Sequence, residues 1–290
     1  MTGHFEWPAN LRPAAIIDRY IESGIPVIIG LRPWAAGQEE WHAVVAFGHC
    51  RQVLDLSAAL SATNPTRADY VRHFLVNDDQ RGVSLRLPVS SGDALKETPY
   101  SAEDIGYLIV PLPSKVYTPA ESAEKLGWDF LRRYEAEWPT MVPHCPPSSI
   151  KMGEELIARL QSNEVVARTY LTYGWRYKQR LMRNSCAPAL KEAVYNHDFS
   201  RFVWVTEFGT RASFNHLDDA KHEIFAHSVV DATSNHFWEG RSVIHAPGFV
   251  WRWFHDPSNP FGSYVDAITP VPDDRPYGVK IRGSYPTRAL

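Results

Sequence analysis

Two short apolar runs near the N-terminus constrain the fold of this chain more than any other feature. The runs are IPVIIGL at 25–31 and WHAVVAFGH at 41–49, and the first is especially rich in β-branched residues. Runs of this length and composition predict buried β-strands. In front of them, Pro13 and apolar residues at helical spacing predict a helix over 13–23, which Gly24 ends.

The rest of the chain predicts a mixture of strands and helices. Strands are expected at 73–78, 83–89 and 106–113, after a polar excursion over 51–70, and again within the last ninety residues before a surface tail from Asp256. Helices are expected at 119–138, 150–161 and 187–195. The predicted fold is therefore α+β, with an antiparallel sheet in a domain over 1–115. A domain over 116–290 follows with a helical insert and a β-rich C-terminal region.

The composition excludes several classes of protein. Hydrophobic residues make up 44% and charged residues 22% of the 290, which is typical of a globular chain. No apolar run approaches the ~20 residues of a membrane helix, so no membrane partner is predicted. Three cysteines are too few for a disulfide framework, and the N-terminus has no signal-peptide pattern. A cytoplasmic location is the expectation.

A histidine that opens one strand and an aspartate that closes another form the most informative pair. His42 begins the second apolar run and Asp78 ends the strand over 73–78. In antiparallel neighbours such side chains can lie side by side. A cysteine nucleophile needs a histidine base within hydrogen-bond reach, and a carboxylate then fixes the imidazole. We therefore predict that His42 lies within one-water reach of Asp78 or its neighbour.

The segments YIESGIPVIIGL, WHAVVAFGH and HFLVNDDQRG resemble the second half of papain-like cysteine peptidases. The resemblance is greatest to bacterial peptidases related to the double-glycine leader processors, and it covers residues 13–90. It implies that His42 is the catalytic base and Asp78 the supporting carboxylate. Asp79 stands where proline is common in that family, which leaves the carboxylate open between Asp78 and its neighbour.

The resemblance also implies a cysteine at the start of an upstream helix, and none of the 41 residues before His42 is cysteine. Three hypotheses follow: a pseudoenzyme, a chain that starts too late, or a cysteine from elsewhere. Cys50, Cys145 and Cys186 are the available thiols, and we interpret each as inert. No cysteine sulfur is predicted within about 4 Å of His42, since that is nucleophile distance. Whether the chain is an enzyme is left open.

The main alternative is a non-catalytic protein-interaction or scaffold module that keeps the sheet. Its partner would be a peptide, a protein, a second copy or a chain supplying the missing half. Because an uncovered apolar sheet face is unusual, the helix over 119–138 is expected to bury it, with a second chain as the other possibility.

A second alternative is nucleic-acid binding through residues 168–183, where basic and aromatic residues interleave. We favour an amphipathic helix with solvated cations there, because the net charge is −3. No metal or cofactor is predicted. Three histidines, one cysteine and one aspartate of the first strands could be considered as metal ligands, but their spacing matches no common zinc site. They are His42, His49, Cys50, His73 and Asp78.

Overall fold

The structure is a computed structural model that describes residues 12–32, 41–55, 64–218, 221–234, 241–255 and 263–278. It confirms an α+β fold with two antiparallel sheets. The chain divides into two compact units, one built mainly from residues up to Pro113 and the other mainly from Ser114 onward. The sequence placed this division after residue 115.

The first unit holds a five-stranded sheet in the order β4-β3-β2-β1-β5. All five strands predicted for this part of the chain form, and each of their ends lies within four residues of the predicted position. The elements are α1 (Pro13–Glu22), β1 (Val27–Leu31), β2 (His42–Arg51), β3 (Val71–Asp78), β4 (Gly82–Pro88) and β5 (Ile105–Ile109), with 3₁₀ turns at Arg67–Tyr70 and Ala102–Asp104.

Helix α1 covers one face of this sheet. Ile16, Ile17 and Tyr20 lie at helical spacing and are buried, and α1 packs on β1 and β2. The chain leaves the helix at Gly24, whose positive φ of 73° suits glycine. Each fully buried aliphatic side chain of this kind stabilises the fold by about 1.5–3 kcal/mol.

The second unit is built on a longer antiparallel sheet in the order β11-β10-β9-β8-β7-β6, with β12 paired to β8. In the described ranges, the helices of both units lack the length and apolar composition that a membrane crossing needs. Its elements are α2 (Ala120–Met141), α3 (Pro147–Gln161), β6 (Val165–Tyr173), α4 (Gly174–Arg183), α5 (Pro188–Tyr195), β7 (Phe202–Thr210), α6 (Arg211–Phe214), β8 (Glu223–Asp231), β9 (Arg241–Ala246), β10 (Phe249–His255), β11 (Ser263–Pro270) and β12 (Tyr277–Gly278).

The expectation that the helix over 119–138 buries the first sheet is wrong. This helix is α2, and it packs on β6, β7, β8 and β9 of the second unit. Its residues Leu131, Tyr134 and Trp138 belong to a buried hydrophobic cluster with strand residues such as Phe208 and Phe225. The helix itself was predicted, but the apolar pattern of one helix does not show which of two apolar sheets it contacts.

The segment over 165–183 is a strand followed by a helix, whereas the sequence favoured an amphipathic helix over 168–183. Val165, Val166, Thr169 and Thr172 favour a strand because β-branched side chains are restricted in helices. Residues 165–173 therefore form β6, which is buried along nearly its whole length. Only 174–183 form the helix, α4.

Candidate active site

His42 occupies the first position of β2, opposite Leu31 of β1. Side chains of β2 alternate between buried and more exposed positions, and the histidine lies on the buried side with Val44 and Ala46. This is the face that α1 covers. The imidazole is therefore held by packing rather than lying in open solvent.

Asp78 approaches His42 from the neighbouring strand. Asn77 of β3 pairs with Val45 of β2, so Asp78 falls beside Val44, on the same face as His42 and diagonally adjacent to it. The side chains bridge this offset, and Oδ1 of Asp78 lies 3.1 Å from Nε2 of His42. The prediction that these two side chains lie close together is confirmed; their catalytic role stays a prediction.

The hairpin between β3 and β4 fixes the carboxylate. The backbone N–H groups of Gln80 and Arg81 donate to Oδ1 of Asp78, at 2.9 and 3.2 Å. Gly82 closes this turn with a φ of 130°, which a residue with a side chain rarely adopts. Oδ1 is thus held at the position that faces the imidazole.

Tyr100 holds the other oxygen. Its buried phenol donates a hydrogen bond to Oδ2 of Asp78, and its ring centre lies 5.8 Å from that of His42. The Thr98 hydroxyl in turn donates to the Tyr100 carbonyl at 2.8 Å. The three side chains of Tyr100, Asp78 and His42 therefore form one chain of contacts, which we call the Tyr100–Asp78–His42 relay.

The electrostatics of the relay favour a charged carboxylate and a neutral phenol. Burial by itself raises the pKa of Asp78, but the Tyr100 hydroxyl, the Gln80 amide and His42 together hold that pKa below its ordinary value. Burial and the adjacent carboxylate both raise the pKa of Tyr100 well above that of a free phenol. Tyr100 is consequently a permanent donor to Asp78 at physiological pH.

Tyr100 was not predicted as a site residue from the sequence. One local signal was available, because Ser101 and Asp104 form a capping box that begins the 3₁₀ turn just after the tyrosine. Such a box fixes the backbone that carries Tyr100, but it does not reveal that the ring reaches a strand more than twenty positions earlier.

Asp79 is exposed, and the buried Asp78 is the carboxylate at the imidazole. The side chains of His42, Asp78 and Asp79 place one ligand atom each within 4.8 Å of one another, so they could surround a metal ion. The donor set fits an ion poorly, because Oδ1 of Asp78 already accepts two backbone N–H groups and Oδ2 accepts the Tyr100 hydroxyl.

None of the three thiols lies in the sequence position that the resemblance implies, and their surroundings differ. Cys50 follows His42 by eight residues on the same strand, which separates them by ~25 Å at about 3.3 Å per residue. Cys145 and Cys186 are buried in the second unit, and burial raises the pKa of each to about 11. A buried thiol with such a pKa is a poor nucleophile at neutral pH.

Other strand histidines have acidic neighbours. His73 lies 3.2 Å from Asp93, and the two ring nitrogens of His49 each lie 3.3 Å from a carboxylate oxygen, one of Asp18 and one of Glu22. These contacts fasten β3 to the loop after β4 and α1 to β2. We interpret both histidines as structural.

The surface proposed for nucleic-acid binding is largely internal. Arg168 and Tyr170 are buried against Glu207, with the Tyr170 hydroxyl donating to that carboxylate at 2.9 Å. The Tyr177 side chain is also buried, whereas Trp175 is exposed and the Arg176 guanidinium lies over its ring. The half-buried Tyr173 stacks on Trp175, with ring centroids 6.1 Å apart, so part of this aromatic and basic surface is accessible. Nucleic-acid binding through 168–183 therefore stays a prediction.

The relay in the first unit is the arrangement that matches the chemistry predicted from the sequence. No known protein family, curated protein or solved structure matches this chain.

Proposed function

We propose that the first unit is a relative of the papain-like cysteine peptidases that keeps the histidine–aspartate base and does not hydrolyse peptides as the chain stands. The observation that carries the proposal is the 3.1 Å separation between Nε2 of His42 and Oδ1 of Asp78. The spacing and order of the segments around the pair resemble that superfamily, and the pair has the contact that its chemistry requires.

The geometry defines what the imidazole can do. A carboxylate oxygen at Nε2 favours the proton on that nitrogen, which makes Nδ1 the basic nitrogen of the neutral ring. A thiol brought to Nδ1 would give up its proton there, and the ionised Asp78 would stabilise the resulting imidazolium. The Tyr100 hydroxyl and two backbone amides keep the carboxylate ionised and correctly oriented.

The proposal requires a nucleophile that the described thiols do not supply. Cys50 lies at the far end of β2, and Cys145 and Cys186 have raised pKa values in the second unit. The chain alone is therefore expected to behave as a pseudoenzyme. A chain or segment that carries a thiol to Nδ1 would complete the site.

Two measurements test the two parts of the proposal separately. Nitrogen-15 NMR of the neutral imidazoles should show His42 with its proton on Nε2, and Asp78→Ala should shift the ring toward a mixture of tautomers. Asp79→Ala is the matched control and should leave the tautomer unchanged. A proton on Nδ1 in the parent, or equal responses to the two substitutions, would disprove the base assignment.

The second measurement concerns activity. The purified chain should neither cleave fluorogenic peptides nor label with a peptidyl epoxide, and iodoacetamide should alkylate each cysteine equally fast in the parent and in His42→Ala. Labelling of one cysteine that depends on His42 would show that the chain is a complete enzyme with a rearranged site.

A protein-interaction module is the second candidate, and exposed apolar residues of the first unit favour it. Trp41, Phe47 and Ile109 are large and exposed, and the Trp41 ring lies 5.5 Å from that of Tyr107 on β5. Ile109 pairs with Ile28, which alternates with the buried Ile29, so it projects from the face opposite α1. Exposed apolar side chains close together often mark interaction sites.

Sedimentation distinguishes this second candidate. A protein-interaction module that self-associates should sediment as an oligomer and become monomeric when Phe47→Asp and Ile109→Asp are combined. A parent that is already monomeric at high concentration would rule out the second copy as the partner.

A further inference from the structure

The first unit contains a cavity of about 620 Å³ that the relay does not use. This volume lies within the range of roughly 300–1,000 Å³ that is typical of small-molecule sites. The start of α1, the beginning of β3, the end of β4 and the residues before β5 form its walls. Among the residues that line it are three arginines, and His42, Asp78 and Tyr100 are absent from the lining that the structure describes.

Two of the arginines pair with carboxylates that also line the cavity and are less exposed than the guanidinium groups. The side chain of Arg12 is 44% exposed and that of its partner Asp69 is 9% exposed. In the second pair, the side chain of Arg72 is 41% exposed and that of Asp93 is 10% exposed. In each pair the guanidinium is far more exposed than the carboxylate, so the arginines contribute more of the accessible surface than the acids that they bind.

The paired guanidinium groups keep donors in reserve. Arg72 uses Nε and Nη2 to bind Asp93, at 2.7 and 3.2 Å, and Arg12 uses Nη1 to bind Asp69. A guanidinium has five N–H donors, so each arginine can bind a further acceptor without releasing its carboxylate. The two carboxylates therefore orient the arginines without using all of their N–H donors.

Arg32 differs from the other two. It is exposed, and its guanidinium forms no ion pair with any residue in the described ranges. An exposed arginine in the same lining as two oriented ones is suited to a ligand that carries negative charge.

The cavity also has an apolar surface. Pro13, Ala14 and Val89 line it and are half-buried. These side chains suit the carbon skeleton of a ligand, whereas an inorganic ion alone would leave them without contacts. Among the described lining residues Glu103 is the most exposed carboxylate, and it opposes an anion.

We propose that this cavity binds a small organic anion whose phosphate or carboxylate group contacts Arg32, Arg12 and Arg72. The carbon skeleton of the ligand packs on Pro13, Ala14 and Val89. This site is separate from the peptide chemistry proposed for the relay, and it does not depend on that chemistry.

Calorimetric titration of the full chain tests the proposal with three probes. Adenosine 5′-monophosphate and citrate represent the phosphate and carboxylate sources, and adenosine is the uncharged control. At least one of the two anions should bind saturably, and adenosine should not. Absence of binding by both anions, or equal binding of adenosine and its monophosphate, would overturn the proposal.

Substitutions then locate the site. Arg32→Gln should weaken binding at least about tenfold, since hydrogen bonds to charged groups contribute about 1.5–3 kcal/mol. Arg86→Gln removes the same charge from β4 outside the cavity and should change affinity little. Glu103→Gln should strengthen binding, because it removes the opposing carboxylate. Equal losses in the two arginine variants, or an unchanged affinity in Glu103→Gln, would contradict the proposed site.

Discussion

The phenol of Tyr100 donates a hydrogen bond to Oδ2 of Asp78, the carboxylate whose other oxygen lies 3.1 Å from His42. The contact joins the loop before β5 to the end of β3, so it ties two parts of the first unit as well as orienting the carboxylate. A buried donor in this position carries a measurable share of both stability and electrostatics.

Removing the Tyr100 hydroxyl should therefore affect Asp78 directly. In Tyr100→Phe the pKa of Asp78 should rise, because the carboxylate loses a donor that favours its charged form. The free energy of unfolding should fall by about 1–3 kcal/mol, since a buried oxygen is left without that partner. Carbon-13 NMR of the Asp78 carboxyl and urea titration measure the two effects.

Tyr107→Phe is the matched control for this prediction, because Tyr107 is exposed on β5 of the same unit. It should leave both quantities nearly unchanged. If Tyr100→Phe left the pKa of Asp78 where it is in the parent, the hydrogen bond would not be the cause of the lowered value.

The lowered pKa of Asp78 also predicts a pH dependence. A carboxylate with a depressed pKa in the folded state stabilises the fold above its unfolded value of about 3.9, and this stability is lost as the pH falls through the folded pKa. Asp78→Asn should thus destabilise the first unit by about 1–3 kcal/mol at pH 7. The difference from the parent should shrink as the pH falls well below 3.9. Urea titrations across this pH range measure it.

Asp79→Asn provides the comparison for that experiment, because Asp79 is the exposed neighbour in the same turn. Its effect on the free energy of unfolding should stay within about 0.5 kcal/mol at each pH. An Asp78→Asn effect that is independent of pH would mean that loss of packing, rather than loss of charge, is responsible.

The site was only partly predictable from the sequence. His42 and Asp78 lie at strand ends, where the period-two pattern fixes which face each side chain occupies, so their proximity followed from strand order. Tyr100 lies in a loop without periodicity, and no local rule places its ring against β3. The choice between Asp78 and Asp79 likewise depended on the turn geometry that buries one and exposes the other.

The fold, like the site, was only partly predictable from the sequence. The strands and helices of the first 113 residues followed from apolar patterning, but the partner of α2 did not, because its stripe suits any apolar sheet. The prediction of a surface tail from Asp256 was wrong over 263–270. That segment forms β11 and pairs with β10, a strand that the sequence did predict. The Pro, Gly and Asp residues around 263–270 obscured its strand pattern.

The packing of α2 makes a direct prediction for the second unit. Leu131 is fully buried in the cluster that α2 forms with the sheet. Leu131→Ala should lower the free energy of unfolding by about 2–5 kcal/mol, because it removes buried methyl groups and leaves a cavity. Hydrogen exchange should accelerate in β6, β7 and β8, whereas Leu95→Ala, at an exposed leucine, should have little effect. Acceleration confined to β1–β5 would place α2 on the wrong sheet.

His197 gives the second unit a pH dependence of its own. The imidazole is buried, its Nε2 lies 2.7 Å from the Ser242 hydroxyl, and its ring packs on Phe199. Burial is the main cause that lowers the pKa of His197 to about 4, and the positive charges of Arg252 and Lys178 lower it further against the opposing effect of Asp198. The native state therefore holds this histidine neutral where an unfolded chain would protonate it.

Because the unfolded chain binds the extra proton, the second unit should lose stability as the pH falls from about 6.5, the ordinary histidine value, toward the folded pKa of about 4. We expect His197→Gln to remove about 1–3 kcal/mol of this loss, since each pKa unit corresponds to about 1.4 kcal/mol and residual hydration reduces the total. Urea titrations at several pH values measure the slope in both proteins. His227 is buried with a lowered pKa as well and contributes the same slope to both, so the difference isolates His197. Parallel slopes in parent and variant would mean that His197 titrates normally in the folded protein.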